Sequence, residues 1–248
     1  MTKSILITGG SRGIGRAAAR LAGLRGWSVA VNYVADERAA REAVTEIETG
    51  GGRAIAVKGD VAIESQVLAM FDATEAAFGR IDGLVNNAGI VGRSMPLADM
   101  DLDRLRRIFD TNILGAYLCA REAARRMSRS RGGHGGGIVN LSSVAAKLGS
   151  PNDFVDYAGS KAALDTMTIG LSKELGPEGI RVNAVRPGLI ETEIHASAGR
   201  PDRATVLGPT MPMGRAGTAE EVGQAIVWLL SDEASYVSGA LLDVGGGR

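Results

Sequence analysis

The chain has 248 residues, enough for one large α/β domain or at most two small ones. Its 28 Lys and Arg balance 28 Asp and Glu, so no net positive charge recruits nucleic acid or an anionic membrane, and a 45% hydrophobic content supports a core rather than disorder. Cys119 stands alone, no apolar run approaches the roughly 20 residues of a membrane span, and the start MTKSILITGG lacks a signal-peptide pattern, so a cytoplasmic globular protein is expected. Glycine is the unusual entrant: 35 residues is about twice average usage, with no Gly-X-Y period, which predicts many sharp turns or close backbone approaches.

Taken in order, short aliphatic or β-branched runs alternate with segments of helical period. Strands are predicted at 4–8, 28–33, 54–58, 83–86, 137–142, 181–186 and 240–243, with helices at 14–25, 36–49, 64–78, 100–127, 156–175 and 218–230. Such alternation predicts one α/β doubly wound domain: a seven-stranded, mostly parallel sheet with helices on both faces, joined by right-handed crossovers. No linker, repeat or low-complexity tract divides residues 1–248. The glycine- and arginine-rich patch 128–137 reads as a surface loop with His134 in solvent.

Between the first strand and first helix lies Thr8-Gly9-Gly10-Ser11-Arg12-Gly13-Ile14-Gly15. Glycines there let backbone N–H groups approach an anion that the helix N-terminus stabilises, although a plain tight turn has the same composition. The spacing G-x-x-x-G-x-G departs from the general dinucleotide pattern G-x-G-x-x-G. A triphosphatase loop, suggested by the interval from Gly10 to Gly15, requires Lys and Ser/Thr next, and the chain offers Arg16 and Ala17. A phosphate site for a dinucleotide is the better reading.

An NAD site usually places an acid at the end of the second strand for the ribose 2′-hydroxyl. That strand ends in Asn32 and Tyr33, and Asn32 has no charge to repel a 2′-phosphate. Arg12 can pair with such a phosphate, while Asp36 and Glu37 read as the start of the next helix, where acids suit the dipole. NADP(H) is therefore expected ahead of NAD.

The strongest chemical signal is Tyr157-Ala-Gly-Ser-Lys161, whose i, i+4 spacing puts phenol and ammonium on one helix face. An adjacent cation favours phenolate, so Lys161 is expected to lower the Tyr157 pKa towards the range where acid–base catalysis is efficient. Taken alone the pair could be chance on a surface. Ser142 and Ser143 end a strand at the ligand-binding edge, and Asn112 interrupts the apolar stripe Leu105, Ile108, Phe109, Ile113, Ala116. Asn112 is open to two readings, a structural polar bridge or an anchor for a water beside Lys161.

These residues, with Asn86-Asn87-Ala88-Gly89 and Pro187-Gly188-x-x-x-Thr192, resemble the short-chain dehydrogenase/reductase family over Ile5 to Gly246, nearest its glucose-dehydrogenase-like and 3-oxoacyl-carrier-protein-reductase-like branch. The resemblance implies a Rossmann-type fold and an oxidoreductase moving hydride between nicotinamide and a carbonyl or secondary alcohol. It implies Tyr157 as acid/base, Lys161 lowering its pKa and holding the nicotinamide ribose, Ser143 orienting the substrate oxygen, and Asn112 completing a proton relay. Gly9, Gly13, Ile14 and Gly15 would surround the pyrophosphate, with Ser11 and Arg12 near the adenosine phosphate. Asp60 and Val61 would meet adenine, and Asn87, Ala88 and Gly89 its ribose. Pro187, Gly188, Ile190 and Thr192 would meet the nicotinamide end. A homotetramer is also implied.

One departure stands out: 148–156 is one residue longer than the commonest family spacing, which reshapes the substrate wall, expected from Val144, Phe154 and residues 93–97. Residues 191–215 are expected to form a mobile substrate lid, since their root adjoins the site. Two histidines and one cysteine argue against a metal site, and Cys119 reads as a small buried hydrophobe. The sequon Asn140-Leu141-Ser142 carries no meaning in a cytoplasmic protein. A catalytically silent NADP(H)-binding regulator is the main alternative; a pure scaffold is a third.

Overall fold

A computed structural model describes residues 2–248. In chain order the elements are β1 (Ser4–Ile7), α1 (Gly13–Leu24), β2 (Ser28–Tyr33), α2 (Glu37–Thr49), β3 (Arg53–Lys58), α3 (Glu64–Phe78) and β4 (Gly83–Asn86). They continue with α4 (Leu102–Phe109), α5 (Gly115–Met127), β5 (Gly136–Leu141), α6 (Ala145–Leu148), α7 (Val155–Glu174) and β6 (Ile180–Pro187). Last come α8 (Ile194–Ser197), α9 (Arg203–Leu207), α10 (Ala219–Leu230) and β7 (Leu241–Val244).

The strands form one seven-stranded sheet in the order β3-β2-β1-β4-β5-β6-β7. Every pairing is parallel, with Ile7 opposite both Val31 and Val85 and Val139 opposite Asn183. Successive side chains alternate between two cores: Ile5 and Ile7 pack with α1 and α10 through Ala18, Ala22 and Ile226, whereas Leu6 packs with α3 and α5 through Met70, Phe71 and Cys119. Covering both faces is what makes these strands continuously apolar. The order reverses at β1, so the loops after β1 and β4 diverge and open a crevice at the carboxyl edge, where open α/β sheets bind ligands.

Local chemistry sets several boundaries. Asp36 caps α2 by accepting from Ala39 N–H at 2.9 Å, as its sequence position suggests. Thr218 and Glu221 form a reciprocal capping box on α10, and Arg215 beside Glu221 draws that carboxyl down to about 2. Residues 100–127 depart from the expected single helix: α4 ends at Phe109, a π-turn spans Asp110–Leu114, and α5 follows. Asn112 sits inside that wide turn, an irregularity that apolar periodicity does not reveal.

Candidate active site

A cleft of ≈ 920 Å³ lies over the carboxyl ends of the strands, lined at one end by the glycine loop and at the other by Tyr157, α8 and α9. At the first end, Gly9 and Gly13 have φ of +60° and +52°, a left-handed region that favours glycine. No side chain caps α1 and no acid occupies its first turn, so its first N–H groups and the positive end of its dipole remain for an anion. Arg12 flanks this turn, exposed and without a carboxylate partner among the described residues.

The loop is held by side chains that spend their polar atoms on it. Thr8 Oγ1 accepts from the Asn87 and Ala88 N–H groups, and Asn87 Nδ2 donates to the carbonyls of Thr8 and Gly9 at 2.8 and 2.9 Å. Asn32 Oδ1 accepts from Gly9 N–H at 2.9 Å, while its Nδ2 donates to Gly59 O at 2.8 Å. Asn32 borders the cleft, with its side chain fully buried and tying the glycine loop to the ends of β2 and β3. Gly15 has a packing role. It does not line the cleft; a Cβ there would come within 2.5 Å of Gly9 O, so this glycine lets α1 pack onto the loop.

At the other end, Tyr157 and Lys161 share one face of α7, with Lys161 Nζ 5.5 Å from the centre of the phenol ring. Lys161 is buried and donates to Leu141 O at 2.6 Å. Ser143 is the hydroxyl that acts on the Tyr157 phenol, holding its pKa down, and its Oγ accepts from Ala145 N–H at 3.1 Å. Ser142 Oγ turns instead to Lys161 O at 3.0 Å, so of the two serines it is Ser143 that meets the phenol.

Desolvation pushes Tyr157 up to about 12, with the Ser143 hydrogen bond opposing it, and draws Lys161 down to about 8, with Asp165 opposing. Burial disfavours the charged form of each group, so the phenol and the ammonium shift in opposite directions.

Asn112 lies behind the cleft rather than in its lining. Its Oδ1 accepts from Ile90 N–H at 2.8 Å, and its Nδ2 donates to Ile90 O at 2.9 Å and Ser160 Oγ at 3.0 Å. A Cβ on Gly89 would stand 3.4 Å from both Asn112 Oδ1 and Lys161 Nζ, so the two polar atoms flank one small space. The remaining expected cofactor contacts, Ser11, Ile14, Tyr33, Asp60, Val61, Ala88, Pro187, Gly188, Ile190 and Thr192, all line the cleft.

The substrate end contains groups that periodicity did not single out. Ser150 and Asn152 take positive φ of 46° and 57° within the 148–156 connection. Asp153 there pairs with Arg203 at 3.0 Å, and Arg203 stacks over Phe154 at 5.2 Å. A buried ladder, Asn86 Nδ2 to Asn140 Oδ1 at 3.0 Å and Asn140 Nδ2 to Thr168 Oγ1 at 2.9 Å, joins β4, β5 and α7. Its only sequence signal was an asparagine within each apolar strand.

A family model described as enoyl-(acyl carrier protein) reductase matches residues 9–248. The chain is 51% identical over 243 residues to the uncharacterized oxidoreductase YgfF of Escherichia coli, covering 98% of both. The chain belongs to the short-chain dehydrogenase/reductase family. This oxidoreductase is also 41% identical over 247 residues to 3beta-hydroxysteroid dehydrogenase 1 of Eggerthella lenta, covering 99% of this chain and 93% of that one. Among solved structures, a short-chain type dehydrogenase/reductase from Mycobacterium marinum superposes with a TM-score of 0.92 at 36% identity, over 99% and 94% of the two chains. The family uses nicotinamide cofactors, and the residues of this short-chain dehydrogenase/reductase fit one: an uncapped α1, a left-handed glycine turn and a long cleft ending at a phenol.

Proposed function

We propose that the protein is an NADP(H)-dependent oxidoreductase acting on a carbonyl or secondary alcohol, with Tyr157 as acid/base. The observation that carries this is Tyr157, Lys161 and Ser143 gathered at the far end of a cleft that begins at an uncapped helix, with Lys161 Nζ 5.5 Å from the phenol ring. Arg12 would hold the 2′-phosphate through charge-assisted hydrogen bonds, and Asp36, engaged as a cap, supports NADP over NAD. Gly9, Gly13 and Ile14 would hold the pyrophosphate, Asp60 and Val61 the adenine side, and Pro187, Gly188, Ile190 and Thr192 the nicotinamide end. When bound, the nicotinamide supplies or accepts hydride at its C4.

In the reducing direction Tyr157 gives its phenolic proton to the substrate oxygen, and the Ser143 and Tyr157 hydroxyls stabilise the charge developing there. The Lys161 ammonium steadies the resulting phenolate, and the space beside Gly89 between Asn112 and Lys161 supports a relay that returns the proton. The relative named for a 3β-hydroxysteroid supports a ketone and its secondary alcohol as the substrate class.

Residues 191–215 form the lid of this proposal: Ile194, His195 and Ala198 line the cleft, while Arg200 and Arg203 face Asp153 across it. A cytoplasmic homotetramer completes it, the assembly supported by exposed Phe109 and Tyr117 and by open space at Gly159 and Gly170; light scattering tests the assembly. For the chemistry, NADPH absorbance is followed against keto-esters, diketones, quinones, sugars and steroids. Turnover by the wild type and none by Tyr157→Phe is expected; cofactor binding without turnover across the panel would favour a silent sensor.

A further inference from the structure

The backbone of Tyr157 is gripped at both its polar atoms by side chains that lead back to the loop after β4. Its N–H donates to Asp156 Oδ1 at 2.9 Å, and its carbonyl accepts from Ser160 Oγ at 2.7 Å. Ser160 continues to Asn112, already joined to Ile90. Asp156 continues to Arg104, which binds it through Nε at 2.8 Å and Nη2 at 3.2 Å. The third guanidinium nitrogen, Nη1, donates to Arg93 O. Gly92 lies so close to this group that a Cβ would come within 2.6 Å of Arg104 Cζ.

The Arg104 and Asp156 side chains are only 6% and 0% exposed. Removing two charges from water costs several kcal/mol, and such pairs are often replaceable by apolar residues without loss of stability. Stability alone therefore does not account for a buried pair at this position. Every nitrogen of the guanidinium is engaged, so although Arg104 borders the cleft it is not set up as a substrate ligand. Geometry is what the pair supplies. It ties the first turn of α7 to α4 and to the loop containing Gly92.

We propose that Arg104 and Asp156 are positioning residues that, opposite the Ser160–Asn112 path, fix the first turn of α7 so that the Tyr157 hydroxyl meets Ser143 and the substrate oxygen. This rests on Tyr157 being the acid/base. A misplacement of about 1 Å at a reacting group can cost about 10²-fold in rate. Arg104→Met, Asp156→Asn, Arg104→Lys and the double variant are assayed for melting temperature, NADPH affinity, kcat and KM, with Tyr157→Phe alongside.

The single charge-removing variants are expected to melt lower, each leaving one buried charge unpaired, and to lose kcat about 10²-fold with NADPH affinity unchanged. The double variant has no buried charge; its melting temperature should recover while kcat stays low. Arg104→Lys, with the charge but not the fork, should fall between. Recovery of kcat together with melting temperature in the double variant overturns the proposal, as does wild-type kcat in either single variant. Wild-type turnover by Tyr157→Phe would instead sink the reading of the acid/base; an inactive Tyr157→Phe beside a fully active Arg104→Met sinks only the positioning role.

Discussion

The two ends of the cleft are built on different principles. The glycine-loop end is made from backbone: left-handed glycines, an uncapped helix, and buried amides of Asn32 and Asn87 that hold the loop. The Tyr157 end is made from side chains, with charges paired across elements far apart in sequence: Arg104 with Asp156, and Arg203 with Asp153. A backbone site presents the same N–H groups whatever surrounds it and suits a constant ligand. A site walled by side-chain pairs and short helices changes with each substitution, which suits a variable substrate.

Several experiments would sharpen or break this contrast. The largest effect is expected at the phenol: Tyr157→Phe should lose about 10³- to 10⁴-fold in kcat, the upper range for acid–base catalysis, with NADPH titrations unchanged. A parallel loss of cofactor affinity would make the two ends one unit.

Next in size is Asn32→Asp, which puts a carboxylate where Nδ2 now donates to Gly59 O. A buried uncompensated charge costs roughly 3–5 kcal/mol, so melting should fall by about 2–4 °C for each kcal/mol. A wild-type melting temperature with preference moved towards NAD would give Asn32 a direct part in cofactor choice.

Arg12→Ala should weaken NADPH binding by about 10- to 100-fold, the worth of a charge-assisted hydrogen bond, and leave NADH binding unaffected. Equal weakening of both would remove Arg12 from the 2′-phosphate.

Smaller is the pH response. The kcat/KM profile reports the free enzyme, so reduction should decline as pH rises through about 8, where buried Lys161 loses its proton. Stability runs the other way. The folded pKa of Lys161 lies below its unfolded 10.5, so the unfolded chain holds more protons between about 8 and 10.5, and this group's contribution to stability rises with pH there. Lys161→Met should flatten both trends; a decline in kcat/KM at an unchanged pH in that variant would assign it elsewhere.

The least effect is expected at the lid, where NADPH and substrate should slow proteolytic cleavage within 191–215. Equal cleavage in both samples would make those residues a fixed surface insertion.

Much of this was legible from local rules. Strand ends were readable to within one or two residues because continuous β-branched runs leave little choice, and Asp36 announced itself as a cap by its place before an amphipathic stretch. Tyr157 and Lys161 shared a face by helical spacing alone. The π-turn at Asn112 was not legible, since an apolar stripe reads the same through a widened turn. Nor was the burial of Asn32, which depends on Gly9 and Gly59 arriving from other elements. Arg104, Asp156 and Ser160 looked like ordinary polar positions on amphipathic helices, and the pairing of 104 with 156 spans 52 residues.

By itself the sequence determined the alternating elements, the parallel sheet and the glycine turn, because hydrophobic period and glycine's permitted φ act within a few residues. Only the tertiary structure decided which polar groups are buried, who their partners are, and which way the Tyr157 and Lys161 proton affinities move. Desolvation belongs to a whole environment, and no short stretch of chain carries that environment with it.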